Sequence, residues 1–132
     1  MIIIDVNAKP HKLETCKVYV PDGYKLSESY ATELPDGTLT PIDLTTVLPI
    51  TYIVSPYKGK TVVQKTLPAG ETAADGLTIS GANNDVLTIN VPAANLEGAT
   101  MITHRHYLLV TLPNKQDVAW LGDIQFKNLF SS

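Results

Sequence analysis

The chain is poor in the residues that anchor most specific chemistry. It has one cysteine, Cys16, so no internal disulfide can form. Cys16 sits in the alternating stretch Leu13–Val20 and reads as a small strand residue, the usual place of a free cysteine. As a nucleophile it would need a base, and the one histidine near it in sequence is His11. There is one arginine, Arg105, among ten basic residues, and the net charge is −3. That removes the basic footprint that nucleic-acid binding requires. Charged residues make up 17% of the chain against 44% apolar, which excludes a disordered polyelectrolyte. Low charge also suits a protein that works in contact with others, because interface cores are depleted in charge.

Long apolar runs are missing as well. No stretch approaches the roughly 20 residues of a membrane-spanning helix. The opening MIIIDV is apolar for three residues after Met1 and lacks the basic start and long core of a signal peptide. The expectation is a protein made in a cytoplasm, with no membrane and no nucleic acid among its partners. Catalytic signatures are absent too. The sequence holds no Gly-x-Ser-x-Gly elbow and no phosphate-cradling glycine loop. Its 13 acidic residues are not embedded in the aromatic-rich stretches of a glycosidase cleft, since one Trp, six Tyr and two Phe are all it has.

What is present is period-two alternation, the mark of half-buried strands. Residues 102–112 place Ile102, His104, His106, Leu108, Val110 and Leu112 on one face, and residues 118–126 place Val118, Trp120, Ile124 and Phe126 on one face. Pro113 to Asp117 forms the turn between them. Upstream, Ile50, Tyr52 and Val54 alternate, with Pro49 marking a strand start or an edge. Lys60–Leu67 reads as a polar edge strand and Pro68–Asp75 as a loop. Leu77–Ser80 is a short strand, and Val86–Val91 carries Leu87, Ile89 and Val91 on one face. Pro92–Gly98 suits one helical turn, with Leu96 free to plug the end of a sandwich. In the first 37 residues, Ile2–Val6 and Leu13–Val20 suggest strands, Tyr24–Leu34 an irregular segment or strand, and Pro-Asp-Gly turns follow at 21–23 and 35–37. Counted from residue 39, about seven short strands at regular spacing predict an all-β fold, an immunoglobulin-like β-sandwich, with a small barrel as the alternative. The domain reading is an N-terminal arm or additional strands over 1–37 and the sandwich over 38–132.

The order of short motifs resembles a family. Asp43-Leu44-Thr45 opens it, followed by Ile50, Tyr52 and Val54 on one strand, then Lys65-Thr66-Leu67, a loop with Gly70, a strand ending at Val91, the PAANLEG turn, a long strand, and Gly122-Asp123-Ile124. Over residues 38–127 this is similar to the immunoglobulin-like domain of tailed-phage virion proteins, of the kind at the N-terminus of the lactococcal phage baseplate upper protein. The chain departs from that pattern where the family tends to place Tyr: it carries His104 and His106, after three extra residues, Ala99, Thr100 and Met101. The resemblance implies a non-enzymatic part of a virion.

Several residues are candidates for more. His104 and His106, at i and i+2 on a strand, could share a metal with Asp123 or His11, or instead fill the core in place of aromatics. A protonatable pair there would also make an interface pH-sensitive. Asp36-Gly37, Asp75-Gly76 and Asn83-Asn84-Asp85 lack the dense carboxylates of calcium loops and read as turns. Ile2, Ile3 and Ile4 form either the first strand of the sheet or an arm that adds a strand to a neighbouring subunit, and Leu129 and Phe130 offer a second anchor.

The expectation is a structural protein of a tailed-phage particle. Its leading role is a capsid decoration (cement) protein that contacts the major capsid protein or other virion proteins and is itself a homo-oligomer. It needs no cofactor, no metal and no catalytic residue. A neck, tail or baseplate adaptor is the alternative, as is a carbohydrate- or receptor-binding module using Tyr24, Tyr30 and Tyr57. A small hydrolase using His104 or His106 is the remaining reading.

Overall fold

The computed structural model describes residues 2–3, 16–19, 23–33, 36–56, 58–96, 103–112 and 115–127. Among these, eleven strands run in the order β1 (Ile2–Ile3), β2 (Cys16–Tyr19), β3 (Tyr24–Glu33), β4 (Leu39–Pro41), β5 (Ile50–Pro56), β6 (Val63–Leu67), β7 (Ala73–Ala74), β8 (Leu77–Ser80), β9 (Val86–Val91), β10 (Thr103–Leu112) and β11 (Lys115–Lys127). Two short 3-10 turns, Leu44–Thr46 and Ala93–Leu96, are the helical elements among the described residues. The fold is all-β. One sheet has the order β1-β3-β9-β8-β7, with β4 also on β3, and the other has the order β2-β11-β10-β5-β6. Pairing is antiparallel except for β1 on β3 and β2 on β11.

The alternation written in the sequence makes the two layers. On β8 and β9, Leu77, Ile79, Leu87, Ile89 and Val91 turn inward. They meet Ile50, Tyr52, Val54, Val63, Leu67, Leu108, Val110, Ile124 and Phe126 from the second sheet in one core. Burying a Val, Leu, Ile or Phe side chain stabilises by about 1.5–3 kcal/mol, so this shared core holds the sheets together. Leu44 and Leu96 are fully buried and bring both 3-10 turns into that core. Asp43 caps the first of these turns, its Oδ1 accepting from the Thr45 N–H at 3.0 Å.

Strand β3 places part of residues 1–37 inside the sandwich. It lies between β1 and β9, and it sends Tyr30 into the core with 1% exposure. Burial pushes the Tyr30 phenol far above the ordinary tyrosine range, and the negative charge of Glu28 adds to this. The folded state therefore keeps a proton that the unfolded chain releases near pH 10. The contribution is fully present below about pH 10 and is lost as the pH rises beyond it. Urea midpoints should fall above about pH 10, and fall less steeply for Tyr30→Phe. Equal slopes would show that other groups govern alkaline unfolding.

Three details differ from the sequence reading. The β10–β11 hairpin closes tightly, Leu112 pairing with Lys115, where a five-residue turn over 113–117 was expected. The predicted loop 68–75 contains β7, because Ala73 and Ala74 pair with Thr78 and Leu77 across the two-residue Asp75-Gly76 turn. Both turn residues have positive φ (53° and 85°), as the Asp-Gly hairpin turn demands. Finally, β11 does not keep one parity. His106 pairs with Gly122 but Tyr107 pairs with Trp120, so one extra residue, Leu121, interrupts the period. Val118 and Trp120 take register positions beside Leu109 and Tyr107, and Ile124 and Phe126 take the opposite parity.

Candidate functional site: an apolar outer sheet face backed by a tyrosine–histidine line

Strands β5 and β10 carry different chemistry on their two faces. On the inner face, His104 and His106 are buried at 0% and 1% exposure. The His104 ring meets Phe126 edge-on, with centroids 4.8 Å apart. His106 Nδ1 lies 2.9 Å from the Tyr52 hydroxyl, and that hydroxyl lies 2.8 Å from the Tyr24 hydroxyl on the opposite sheet. Tyr52 owns one phenolic proton, so it donates to one neighbour and accepts from the other. The line therefore runs Tyr24 to Tyr52 to His106 or in reverse, and either direction is internally consistent. It ties the two sheets through a fully buried tyrosine. Gly122, opposite His106 at φ 116°, presents no side chain at the neighbouring register position.

This geometry separates the metal candidates. Asp123 pairs with Arg105, one register step from His104 and on the other face of the strand, so it does not share a site with the two imidazoles. His11 lies outside the described residues. No group of three or more metal-ligating side chains is found among the described residues. The histidines take the place of core aromatics, Tyr52 and Phe126 being their ring neighbours.

The acidic turns hold backbone. Asp36 Oδ1 accepts from the Thr38 N–H at 2.9 Å, and hydrogen bonding from the Thr38 side chain first, then its backbone, holds the exposed Asp36 carboxyl below its usual range. The sugar-stacking candidates divide. Tyr30 is buried, which corrects that expectation, since a buried ring offers no face to a sugar. Tyr24 is half-buried with its hydroxyl engaged by Tyr52, and Tyr57 is outside the described residues. Of the predicted anchors, Ile2 and Ile3 pair with Tyr30 and Ala31 of the same chain. Ile4, Leu129 and Phe130 lie outside the described residues.

The outer faces of the two sheets differ sharply. The β3-β9-β8 sheet turns out Lys25, Ser27, Thr78, Ser80 and Asn90, all exposed, with Ser27 and Thr88 sharing a hydroxyl hydrogen bond at 3.1 Å. This is an ordinary solvated face. On the second sheet, register sets rows of positions across the strands. Gln64, Ile53 and Tyr107 align across β6, β5 and β10, with Trp120 at the next register position on β11. Thr66, Thr51 and Leu109 form the row beside it, followed by Val118. Ser55, Arg105 and Asp123 form a polar row at one end. Ile53, Tyr107 and Leu109 are half-buried, in contrast to the exposed polar residues of the other sheet.

The sequence reading missed this face, although a signal was available. Tyr107-Leu108-Leu109-Val110 is apolar at both parities, and so is Ile53 beside Tyr52 and Val54. Continuous apolar runs belong to strands covered on both faces. What the arrangement can do chemically is bury surface: an aromatic and aliphatic centre, a polar rim, and one pair of opposite charges at its end. No protein-family model matches the sequence, and no curated protein matches it.

Proposed function

We propose that this protein is a non-enzymatic structural component of a tailed-phage particle, an immunoglobulin-like sandwich that acts as a capsid decoration protein. The observation that carries the assembly role is the asymmetry of the outer faces: Ile53, Tyr107 and Leu109 at the centre of one, serine, threonine, lysine and asparagine on the other. A contiguous apolar patch with a polar rim is the usual form of a protein contact surface. The immunoglobulin-like reading rests on strand order. Taking β3, β5, β6, β8, β9, β10 and β11 as B, C, C′, D, E, F and G gives B-E-D in one sheet and G-F-C-C′ in the other. The tailed-phage assignment rests on the motif order over residues 38–127 that resembles the virion domain.

Decoration works by mass action. A protein that binds only the assembled lattice stabilises it by RT ln(1 + [L]/Kd), about 2.7 kcal/mol per site at a hundredfold excess over Kd. Purified protein mixed with expanded capsids should sediment with them in a fixed ratio and raise their thermal transition. A protein that ignores capsids but joins purified tails or baseplates would move the assignment to an adaptor. Binding to neither would remove the structural reading.

A further inference from the structure

Strand β6 is a five-residue terminal strand of its sheet, against four residues for β2 at the other end. It stands at the end of its sheet, paired with β5 alone. Such an edge presents alternate N–H and C=O groups outward and is a template for a further strand. This one is obstructed by a residue from the other sheet. The Asp75-Gly76 turn of the β7–β8 hairpin brings the Asp75 carboxylate across to β6. Its Oδ2 accepts from the Thr66 N–H at 3.2 Å, and its Oδ1 lies 3.6 Å from Lys65 Nζ. Lys65 is 8% exposed and points inward between Val63 and Leu67, an uncommon place for a lysine. The turn itself is anchored. The Asn90 N–H donates to the Gly76 carbonyl at 2.9 Å, and a Cβ at Gly76 would lie 2.5 Å from the Asn90 carbonyl oxygen.

We infer that Asp75 and Lys65 form a guard that closes the β6 edge against pairing with the β6 edge of a second copy of this chain. The Thr66 N–H that an incoming strand would need is already satisfied by the carboxylate, and the hairpin tip carrying Asp75 stands in the path of that strand. The inward lysine adds a second obstacle. Docking β6 on β6 would draw the Asp75 partner away from Lys65 and leave a nearly buried ammonium without its counter-charge. The guard is independent of the virion reading. It closes strand exchange through β6 and does not touch the outer face of β5 and β10.

The test compares Asp75→Ala, Asp75→Asn and the double variant Asp75→Ala/Gln64→Pro with the parent. Thr66 amide exchange and sedimentation velocity over a concentration series are read on each. In Asp75→Ala the Thr66 amide should exchange at least about tenfold faster, and a concentration-dependent oligomer absent from the parent should form. Asp75→Asn keeps an acceptor oxygen for Thr66 and should remain as dispersed as the parent. The N–H of Gln64 shares the outward parity of Thr66, so proline at position 64 removes one edge donor without breaking the β5 pairing. The double variant should therefore lose the new oligomer. Asp75→Ala protein that folds yet exchanges Thr66 at the parent rate, or shows no added association, overturns the inference. An oligomer that survives Gln64→Pro also overturns it.

Discussion

Replacing Tyr107 and Leu109 together by glutamate should abolish assembly while leaving the fold in place. Both side chains stand on the outer face of β10, half-buried in the isolated protein, so the cost to the monomer is that of surface strand substitutions, about 1–2 kcal/mol for the pair. At the centre of a contact the same change buries two unpaired carboxylates and removes an aromatic anchor. Losses of about 2–4 kcal/mol per central residue are typical there, so affinity should fall by at least about 100-fold. The control is Thr78→Glu with Ser80→Glu on the solvated face of the other sheet, which should bind the particle as the parent does. Co-sedimentation across a titration reads both. Equal binding by parent and Tyr107/Leu109 variant, with intact circular dichroism, would mean that the apolar face is not the contact.

The largest effect on stability is expected at Tyr52. Its ring is fully buried in the middle of β5, and its hydroxyl joins Tyr24 of one sheet to His106 of the other. Tyr52→Ala removes an aromatic from a close-packed site, a change costing about 3–5 kcal/mol, and takes both hydrogen bonds with it. Domains of this size are stable by about 5–15 kcal/mol, so most of the margin goes. The urea midpoint should drop steeply, and at body temperature a sizeable fraction should be unfolded. Tyr52→Phe isolates the polar part: the ring remains, both bonds go, and a loss of about 1–3 kcal/mol is expected. If Tyr52→Phe matched the parent, the line would be incidental to the joining of the sheets.

The inner face was legible from the sequence because it needs only parity. His104, His106, Leu108 and Val110 alternate in the chain and alternate in burial. Leu96 was legible as a plug because a short turn between two strands has to cover the end of the core. The bulge on β11 was not legible. Parity arguments assume one residue per step, and nothing in Trp120-Leu121-Gly122 announces the extra residue except a glycine, which many turns also use. The outer face left a signal in the apolar runs of β5 and β10, but its extent is set by register across three strands rather than by any one of them. The reach of Asp75 to β6 was beyond sequence altogether. It joins two sheets through a turn whose Asp75 lies nine and ten residues along the chain from Thr66 and Lys65, at a distance set only by how the layers pack.

We propose the outer face of β5 and β10 as the surface buried on binding to capsids. Hydroxyl-radical oxidation followed by mass spectrometry, on the free protein and on protein bound to capsids, reads side-chain cover at each position. Tyr107, Leu109 and Ile53 should become protected on binding, while Ser27, Thr78 and Ser80 react as in the free protein. Protection of the Ser27, Thr78 and Ser80 face with Tyr107 and Leu109 unchanged would contradict it.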